Sequence, residues 1–270
     1  MKYHNITFYF PRRFTDLEEL YSAPQLNPNL CESLEAKLVV DLQNKLAKEG
    51  SFKMPFTGHV STPHGIGNNR VGPFESNKPI CAKWFFLCTQ SGKIIYRTGV
   101  AGSVNVFKEM NVFEWAVTLF SDSYKYINNF NSEHGMPPFD IPQMRFVCSS
   151  AAITTVAHGS HAFFVEELIN AEEDGPFLKY INNASGEFLM AASNTDKHYH
   201  IAEFLAFVQH QQYQQSDQQV FISNLQGIHT CSFFSNYIFI FLAGGKTLLT
   251  DPQIMTHLSV ETISNLQFLH

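Results

Sequence analysis

The sequence has few cysteines, and they form no pattern typical of a stapled fold. An odd set of five without a Cys-x-x-Cys pair argues against a disulfide framework and against a self-contained zinc ribbon. Free thiols in a reducing compartment fit this set best. The five residues are Cys31, Cys81, Cys88, Cys148 and Cys231.

Charged residues are also scarce, at 16% of the chain, and the formal net charge is −6 with histidine neutral. Lysine and arginine form no long basic block, so the attraction on which nucleic-acid binders rely is missing. The most apolar run, residues 237–243 with Phe233 and Phe234 before it, is too short to span a bilayer, and the start of the chain lacks a signal peptide's apolar stretch. The sequence therefore predicts a soluble, intracellular and cytoplasmic protein, with neither nucleic acid nor membrane as a partner.

Hydrophobic residues are abundant, at 44% of the 270 residues, and 26 of them are phenylalanine. This composition is typical of a globular protein and predicts an aromatic-rich interior. The length is enough for one large domain or two modest lobes. The chain contains no repeat of fixed period and no low-complexity tract.

Short aromatic or apolar runs predict four strands, and the near-continuous run after Pro79 predicts a buried one. Between the first two strands, residues 50–78 have the Gly, Pro, Ser, Thr and Asn content of loops around short strands. The predicted strands are residues 6–10, 80–87, 161–165 and 219–223.

Apolar residues that recur every three or four positions predict amphipathic helices over residues 104–127 and 201–213. Residues 34–48 predict another helix, which Gly50 would end. Three prolines, Pro137, Pro138 and Pro142, mark the predicted crossing between two lobes. Periodicity alone thus predicts an α+β protein.

Lys83 is the first candidate functional residue, because an ammonium inside an apolar strand must either reach water or meet a fixed anion such as a phosphate. The plainer alternative is a strand lysine that points outward. Glu109, on the helix that follows, could orient Lys83 through an ion pair. Taken alone, Glu109 is more typical of a solvated carboxylate on a helix surface.

Two polar segments in the second half could contact a nucleotide. Glu166 and Glu167 follow an apolar strand, where backbone groups could bind a planar base and a carboxylate could hold a ribose hydroxyl. A charged strand exit is the alternative. The turn from Lys179 to Asn183 is polar, and such turns usually serve only the backbone.

Gln226 and Asp251 offer the oxygen atoms that magnesium prefers at nucleotide sites. Without further information, Asp251 before a proline is simply a good turn residue. His210, on the second predicted helix, is more typical of a hydrogen-bonded core histidine than of a zinc ligand, because a tetrahedral site needs three further ligands.

In this order, these segments resemble the alpha-kinase family of atypical protein kinases, and most of all its basidiomycete fungal members. The resemblance covers about residues 50–257, and a chance match of so many ordered motifs is very improbable. The matching segments are Gly50-Ser51-Phe52-Lys53, Ile80-Cys81-Ala82-Lys83, Glu109-Met110-Asn111 with Trp115-Ala116, Pro137 to Pro142, Glu166-Glu167-Leu168-Ile169, Phe177 to Asn183, Ala202 to Phe207 with His210, Leu225-Gln226-Gly227, and Leu248 to Thr256.

The resemblance implies a kinase that uses ATP and Mg²⁺ to phosphorylate a protein serine or threonine. It also implies a two-lobed α+β fold, with a nucleotide cleft between a strand-rich N-terminal lobe and a mixed C-terminal lobe. We expect the first lobe over residues 46–135 and the second over 136–270, with an N-terminal extension over 1–45.

The resemblance also implies roles for single residues. Lys83 would contact the phosphates of ATP, and Glu166 with Glu167 would lie at the hinge that grips adenine. The remaining implied residues are Lys179 and Asn183 as nucleotide- and substrate-side polar groups, Gln226 and Asp251 as magnesium ligands, Thr250 beside them, and His210 as one of four zinc ligands.

One departure from the family lies at position 224, where the chain has asparagine and relatives place an aspartate thought to handle the substrate hydroxyl. A neutral amide cannot take up that proton, and loss of a general base costs about 10²–10⁴-fold in rate. Asn224 therefore raises a rival interpretation, a pseudokinase or nucleotide-binding scaffold that no longer catalyses.

Two further departures lie late in the chain. Relatives join the Leu-Gln-Gly and Leu-Thr-Asp-Pro motifs by a short turn, whereas residues 229–245 intervene here, and we suspect a translated intron that transcript sequencing would reveal. The chain also ends without the family's Gly-rich loop and terminal His-x-Cys-x-x-x-Cys. No cysteine follows Cys231, and neither His257 nor His270 has the right context, so we expect an incomplete zinc site, a C-terminal lobe that is incomplete relative to the family and a vestigial ligand in His210.

Overall fold

The computed structural model describes residues 2–23, 26–46, 52–62, 70–154, 160–170, 175–182, 189, 197–229 and 247–256. The helices are α1 (Leu17–Ser22), α2 (Gly99–His134) and α3 (Lys197–Gln215), with a 3-10 turn at Pro28–Leu30. The strands are β1 (Lys2–Pro11), β2 (Cys31–Lys45), β3 (Lys53–Ser61), β4 (Arg70–Val71), β5 (Phe74–Glu75), β6 (Pro79–Cys88), β7 (Ile94–Tyr96), β8 (Met144–Phe146), β9 (Ser149–Thr154), β10 (Ala162–Glu167), β11 (Leu178–Lys179), β12 (Val220–Ser223), β13 (Gln226–His229), β14 (Thr247–Thr250) and β15 (Gln253–Thr256).

Six strands close into an antiparallel ring. Their order is β10, β9, β1, β2, β3 and β6, and β10 pairs with β6 as well as with β9. Side chains alternate between the two faces of a strand, so each strand sends every second residue to one side. In β3 this alternation is complete, since every second residue is buried. Ring closure also pairs backbone groups that an open sheet would leave at its edges.

The core of this ring is aromatic and aliphatic, which confirms the prediction of an aromatic-rich interior. Burial of one such side chain stabilises a fold by about 1.5–3 kcal/mol. Prominent members of the core are Ile6, Phe8, Leu38, Met54, Phe56, Ile80, Trp84, Phe163 and Val165.

The four predicted strands are confirmed as parts of β1, β6, β10 and β12, with ends that differ by a few residues. The helix predicted over residues 34–48 is wrong, because residues 34–45 lie in β2. Helix-forming residues such as Ala36, Leu38 and Lys45 pair with β1 or β3 instead. Ala36, Leu38 and Val40 lie two residues apart and all face the core, so burial in the ring overrides their local preference for helix.

Both amphipathic helices are confirmed, within α2 and α3. Helix α2 is longer than predicted, with 36 residues, and it ends just before Gly135, whose φ of 89° is left-handed. Buried side chains along α2 include Met110, Phe113 and Trp115. Over the described part of the chain, no helix has an apolar stretch long enough to cross a bilayer.

The chain divides into two compact units. The first unit comprises residues 1–12, 25–111 and 147–168 and contains the ring; the second comprises 13–24, 112–146 and 169–270. Residues 1–45, which we expected as an N-terminal extension, supply β1 and β2, two strands of the ring. Residues 1–12 and 25–45 of this segment are therefore part of the first unit, whereas residues 13–24 belong to the second. Residues 147–168 also belong to the first unit, although they follow the proline junction.

The second unit contains two small sheets. One has the order β11, β13, β14 and β8, and the other pairs β12 with β15. Helix α3 is fixed to β12 by buried amides, since Gln209 Nε2 donates to the Ile222 carbonyl at 2.6 Å and the Ile222 N–H donates to Gln212 Oε1 at 3.0 Å. These sheets carry the late motifs of the sequence.

Glu114, on α2 in the second unit, is a deeply buried carboxylate. Its side chain is 1% exposed, and Arg13 Nη1 lies 3.0 and 3.2 Å from its two oxygens. Burial raises the pKa of Glu114 to about 7, and the Arg13 guanidinium only partly opposes that rise. Near neutral pH, therefore, Glu114 titrates while the protein is folded.

We expect this titration to make stability depend on pH. Because the folded pKa of about 7 lies above the usual 4.5, the stabilising contribution is complete below pH 4.5 and is lost as the pH rises through 7. The loss amounts to about 3 kcal/mol, since one pH unit between the two pKa values corresponds to about 1.4 kcal/mol. Urea unfolding from pH 4.5 to 8 should therefore show stability falling more steeply in wild type than in Glu114→Gln. Parallel profiles would contradict the assignment.

Candidate functional site

Lys83 forms a buried ion pair in the first unit. Its Nζ lies 2.6 Å from Glu166 Oε2, and the two side chains are 11% and 4% exposed. The pair crosses from β6 to β10, where Phe164 lies opposite Lys83 and Glu166 lies opposite Cys81. Lys83 is thus not a solvent-exposed strand lysine. Its ammonium is held on the face of the ring opposite to the core.

Glu109 does not form the expected ion pair with Lys83. Its Oε1 instead lies 2.6 Å from Lys53 Nζ, with both side chains 12% exposed. The strand pairing explains why Glu109 pairs with Lys53 and not with Lys83. Lys53 of β3 lies opposite Phe85 of β6, which is two residues beyond Lys83 and on the same face. Lys83 itself pairs with Glu166 of β10. The result is two largely buried cations, Lys53 paired with Glu109 and Lys83 paired with Glu166.

Lys53 is a residue to which the sequence reasoning assigned no role. The signal that could have identified it is the alternation in β3, which places Lys53 on the polar side of a strand whose other side is apolar. Lys53 Nζ also lies 5.1 Å from the centre of the Phe52 ring, a cation–π distance.

Glu167 lies at the end of β10 and is hydrogen-bonded to Cys148, the residue just before β9. Its N–H donates to the Cys148 carbonyl at 2.9 Å, and the Cys148 N–H donates to Glu167 Oε2 at 3.3 Å. Glu166 and Glu167 therefore have different environments, one paired with Lys83 and the other with a backbone amide. Their predicted place at an adenine hinge stays a prediction.

In the second unit, three predicted residues from two separate segments come together. Asn224 Nδ2 donates to the Asp251 carbonyl at 2.7 Å, and Gln226 Nε2 donates to Asp251 Oδ2 at 3.2 Å. The pairing of strands extends the group, because Gln226 lies opposite both Lys179 of β11 and Thr250 of β14. Directly opposed residues share one face of a sheet, so all three side chains lie on the same face.

Asn224 and Asp251 both have left-handed backbone conformations, with φ of 53° and 54°. Residues other than glycine rarely adopt this conformation, and asparagine and aspartate tolerate it best. Backbone strain of this kind clusters at functional sites. Two such residues joined by a hydrogen bond therefore mark this corner of the second unit as a candidate site.

The donor set of Gln226 and Asp251 fits magnesium. Their side chains are adjacent, and they offer a carboxylate and an amide oxygen, the hard ligands that Mg²⁺ takes together with phosphate oxygens. For zinc, no cluster of three or more histidine, cysteine or acidic side chains suited to a metal occurs among the residues that the structure describes.

His210 lies on α3, outside this group. It is exposed, and its Nε2 lies 2.9 Å from Gln214 Nε2. Asn183, His257, His270 and the segment 230–246 lie outside the described residues.

A family model, that of the alpha-kinase family, matches residues 49–266. The chain therefore belongs to the alpha-kinase family. Among curated proteins, none matches the sequence.

Solved structures show the same fold at low sequence identity. An alpha kinase from Entamoeba histolytica has a TM-score of 0.58 at 14% identity, over 97% of this chain and 81% of that one. The apoenzyme alpha-kinase domain of myosin-II heavy chain kinase A has a TM-score of 0.54 at 15% identity, over 99% and 91%. An inactive form of that kinase domain, in complex with ATP, has a TM-score of 0.50 at 16% identity, over 95% and 84%. The α+β fold of this chain is that of the alpha-kinase domain.

Proposed function

We propose that this protein is an ATP-dependent serine/threonine protein kinase. In the proposed reaction a substrate hydroxyl oxygen bonds to the γ-phosphorus of ATP, the bond to the β-phosphate oxygen breaks, ADP leaves and the hydroxyl proton is released. The observation that carries the proposal is the buried, carboxylate-held ammonium of Lys83. Support also comes from family membership and from a similar kinase domain that was solved with ATP.

Lys83 is proposed to bind the phosphates. An ammonium inside a protein interacts with an anion more strongly than it would in water, and Glu166 keeps it in place until the nucleotide arrives. With Lys53 and Glu109 on the same face, the first unit offers a second fixed cation nearby. Glu167, at the end of β10, is proposed to lie near the adenine.

Gln226 and Asp251 are proposed to hold magnesium, with Lys179, Asn183 and Thr250 as polar groups around the nucleotide. Bound magnesium would neutralise negative charge on the phosphates as the γ-phosphate is transferred. The proposal requires Lys83 and this pair to bind one and the same ATP molecule. Because phosphoryl transfer depends mainly on positioning and charge, these groups can act without a covalent intermediate.

Asn224 favours a second candidate, a pseudokinase that binds ATP without transferring phosphate. Its amide cannot accept the proton of a substrate hydroxyl, and it donates a hydrogen bond to Asp251. Since a general base contributes only about 10²–10⁴-fold, we propose a slow kinase in preference to an inert one.

The substitution Asn224→Asp tests this choice. Transfer of radioactive γ-phosphate from ATP to a generic basic protein should be detectable with wild type and rise by about 10²–10⁴-fold in the variant. An Asp251→Asn variant, matched in size, should lose transfer. If wild type and Asn224→Asp both fail to transfer phosphate while both bind ATP, the pseudokinase is correct.

Four finer assignments are also part of the proposal. The first is the particular similarity to basidiomycete members of the family, which rests on sequence motifs alone. The second is a cytoplasmic location, which rests on the cysteine pattern. A protein substrate, with neither nucleic acid nor membrane, follows from the proposed reaction and the lack of a basic block. An incomplete zinc site, with His210 as a vestigial ligand, predicts that the purified protein contains no stoichiometric, tightly bound zinc.

A further inference from the structure

Asn224 joins two segments that lie 27 residues apart in the sequence. Its side-chain nitrogen donates to the backbone carbonyl of Asp251 at 2.7 Å, and its own N–H donates to the Asn182 carbonyl at 3.2 Å. The carbonyl of Leu225, the next residue, accepts hydrogen bonds from the backbone N–H groups of Tyr180 and Ile181, at 2.9 and 3.1 Å. The backbone at Asn224 is thus anchored on one side, and its side chain reaches across to Asp251.

This hydrogen bond requires an amide at position 224. The Asp251 carbonyl can only accept, so its partner must donate, and an aspartate carboxylate has no proton to give. Asn224 is only 7% exposed, which limits exchange of this bond for a bond to water. The neutral residue that departs from the family pattern therefore makes a contact that an ionised aspartate could not make.

We propose that Asn224 is a positioning residue, which holds Asp251 in its left-handed turn and so keeps the Asp251 carboxylate beside Gln226. The inference rests on the proposed function in that Gln226 and Asp251 are taken as the magnesium pair. Asn224 acts through Asp251. Its effect should therefore appear in the magnesium-dependent part of ATP affinity.

The test variant is Asn224→Gly, because glycine adopts a positive φ without strain and removes only the side chain. Asn77→Gly is the matched control: Asn77 is exposed, lies in the first unit and has a φ of 63°. Two measurements are made on each protein. One is hydrogen exchange of peptides that cover residues 250–254 without ligand, and the other is ATP affinity in magnesium and in EDTA.

We expect Asn224→Gly to accelerate exchange over residues 250–254 and to weaken ATP affinity about tenfold in magnesium, the effect of one lost hydrogen bond. In EDTA its affinity should equal that of wild type. Asn224→Asp, which keeps the size but cannot donate, should show the same faster exchange. Asn77→Gly should change neither measurement.

Unchanged exchange and unchanged affinity in Asn224→Gly would overturn the inference. Faster exchange with an equal loss of affinity in magnesium and in EDTA would also overturn it, because the residue would then be merely structural. If wild type binds ATP no better in magnesium than in EDTA, the magnesium pair itself is wrong and the positioning role falls with it. In that case the exchange rates still report separately whether the hydrogen bond holds Asp251.

Discussion

Replacing Gly227 by alanine should disrupt the sheet that carries Gln226. An added Cβ would lie 1.8 Å from the Leu248 carbonyl oxygen and 2.9 Å from its carbon, both of them backbone atoms of the neighbouring strand. Backbone in a paired strand cannot move aside as a flexible side chain can. Since Gly227 lies directly opposite Leu249 in β14, the clash forces β13 and β14 apart. We expect a loss of about 4 kcal/mol or more in stability, which is exceptional for one methyl group.

Urea unfolding measures this loss, and Gly135→Ala is the matched control in the same unit. Gly135 has a left-handed φ of 89°, but an added Cβ would meet nothing within 4 Å. The control should therefore lose only the conformational cost of about 1–2 kcal/mol. Equal losses in the two variants would contradict the close strand approach at Gly227.

Replacing Lys83 by methionine should destabilise the first unit by about 3–5 kcal/mol, the cost of breaking a buried ion pair. Methionine keeps much of the lysine stem but leaves Glu166, whose side chain is 4% exposed, without its ammonium partner. The double variant Lys83→Met with Glu166→Gln removes both charges and should regain most of the stability. Such recovery is the usual result when both members of a buried pair are neutralised.

Urea unfolding of the single and double variants separates the structural role of Lys83 from its proposed role with ATP. Both variants should bind ATP weakly, because both lack the ammonium that is proposed to bind the phosphates. A double variant as unstable as the single one would contradict the ion pair with Glu166. If Lys83→Met binds ATP with the affinity of wild type, the proposed role of Lys83 in ATP binding is wrong.

Local patterns predicted the elements whose period was unambiguous. The apolar run in β6 and the spacing of Phe107, Met110 and Phe113 on α2 each allowed one interpretation, and both are confirmed. Residues 34–48 allowed two interpretations. Leu, Ala and Lys favour a helix, but Ala36, Leu38 and Val40 are also spaced two residues apart, as in a strand. The segment forms a strand because it pairs with β1 and β3, which lie elsewhere in the chain, and a local pattern does not contain this information.

The contacts within the candidate site also depend on long-range pairing that local sequence patterns do not reveal. That Lys83 has a special environment could be inferred from its apolar strand, but its partner could not, because the choice between Glu109 and Glu166 depends on strand register. For Gln226 and Asp251, residue chemistry alone favoured a plain turn. Their adjacency results from β13 and β14, which bring together segments 25 residues apart.

The most direct test is calorimetric titration of ATP with magnesium into wild type, Lys83→Met and Asp251→Asn. The account predicts one ATP bound per wild-type chain and weaker binding in both variants, because each variant removes a group that is proposed to bind ATP or its magnesium. A wild-type protein that binds no ATP, or a loss confined to one of the two variants, would contradict it.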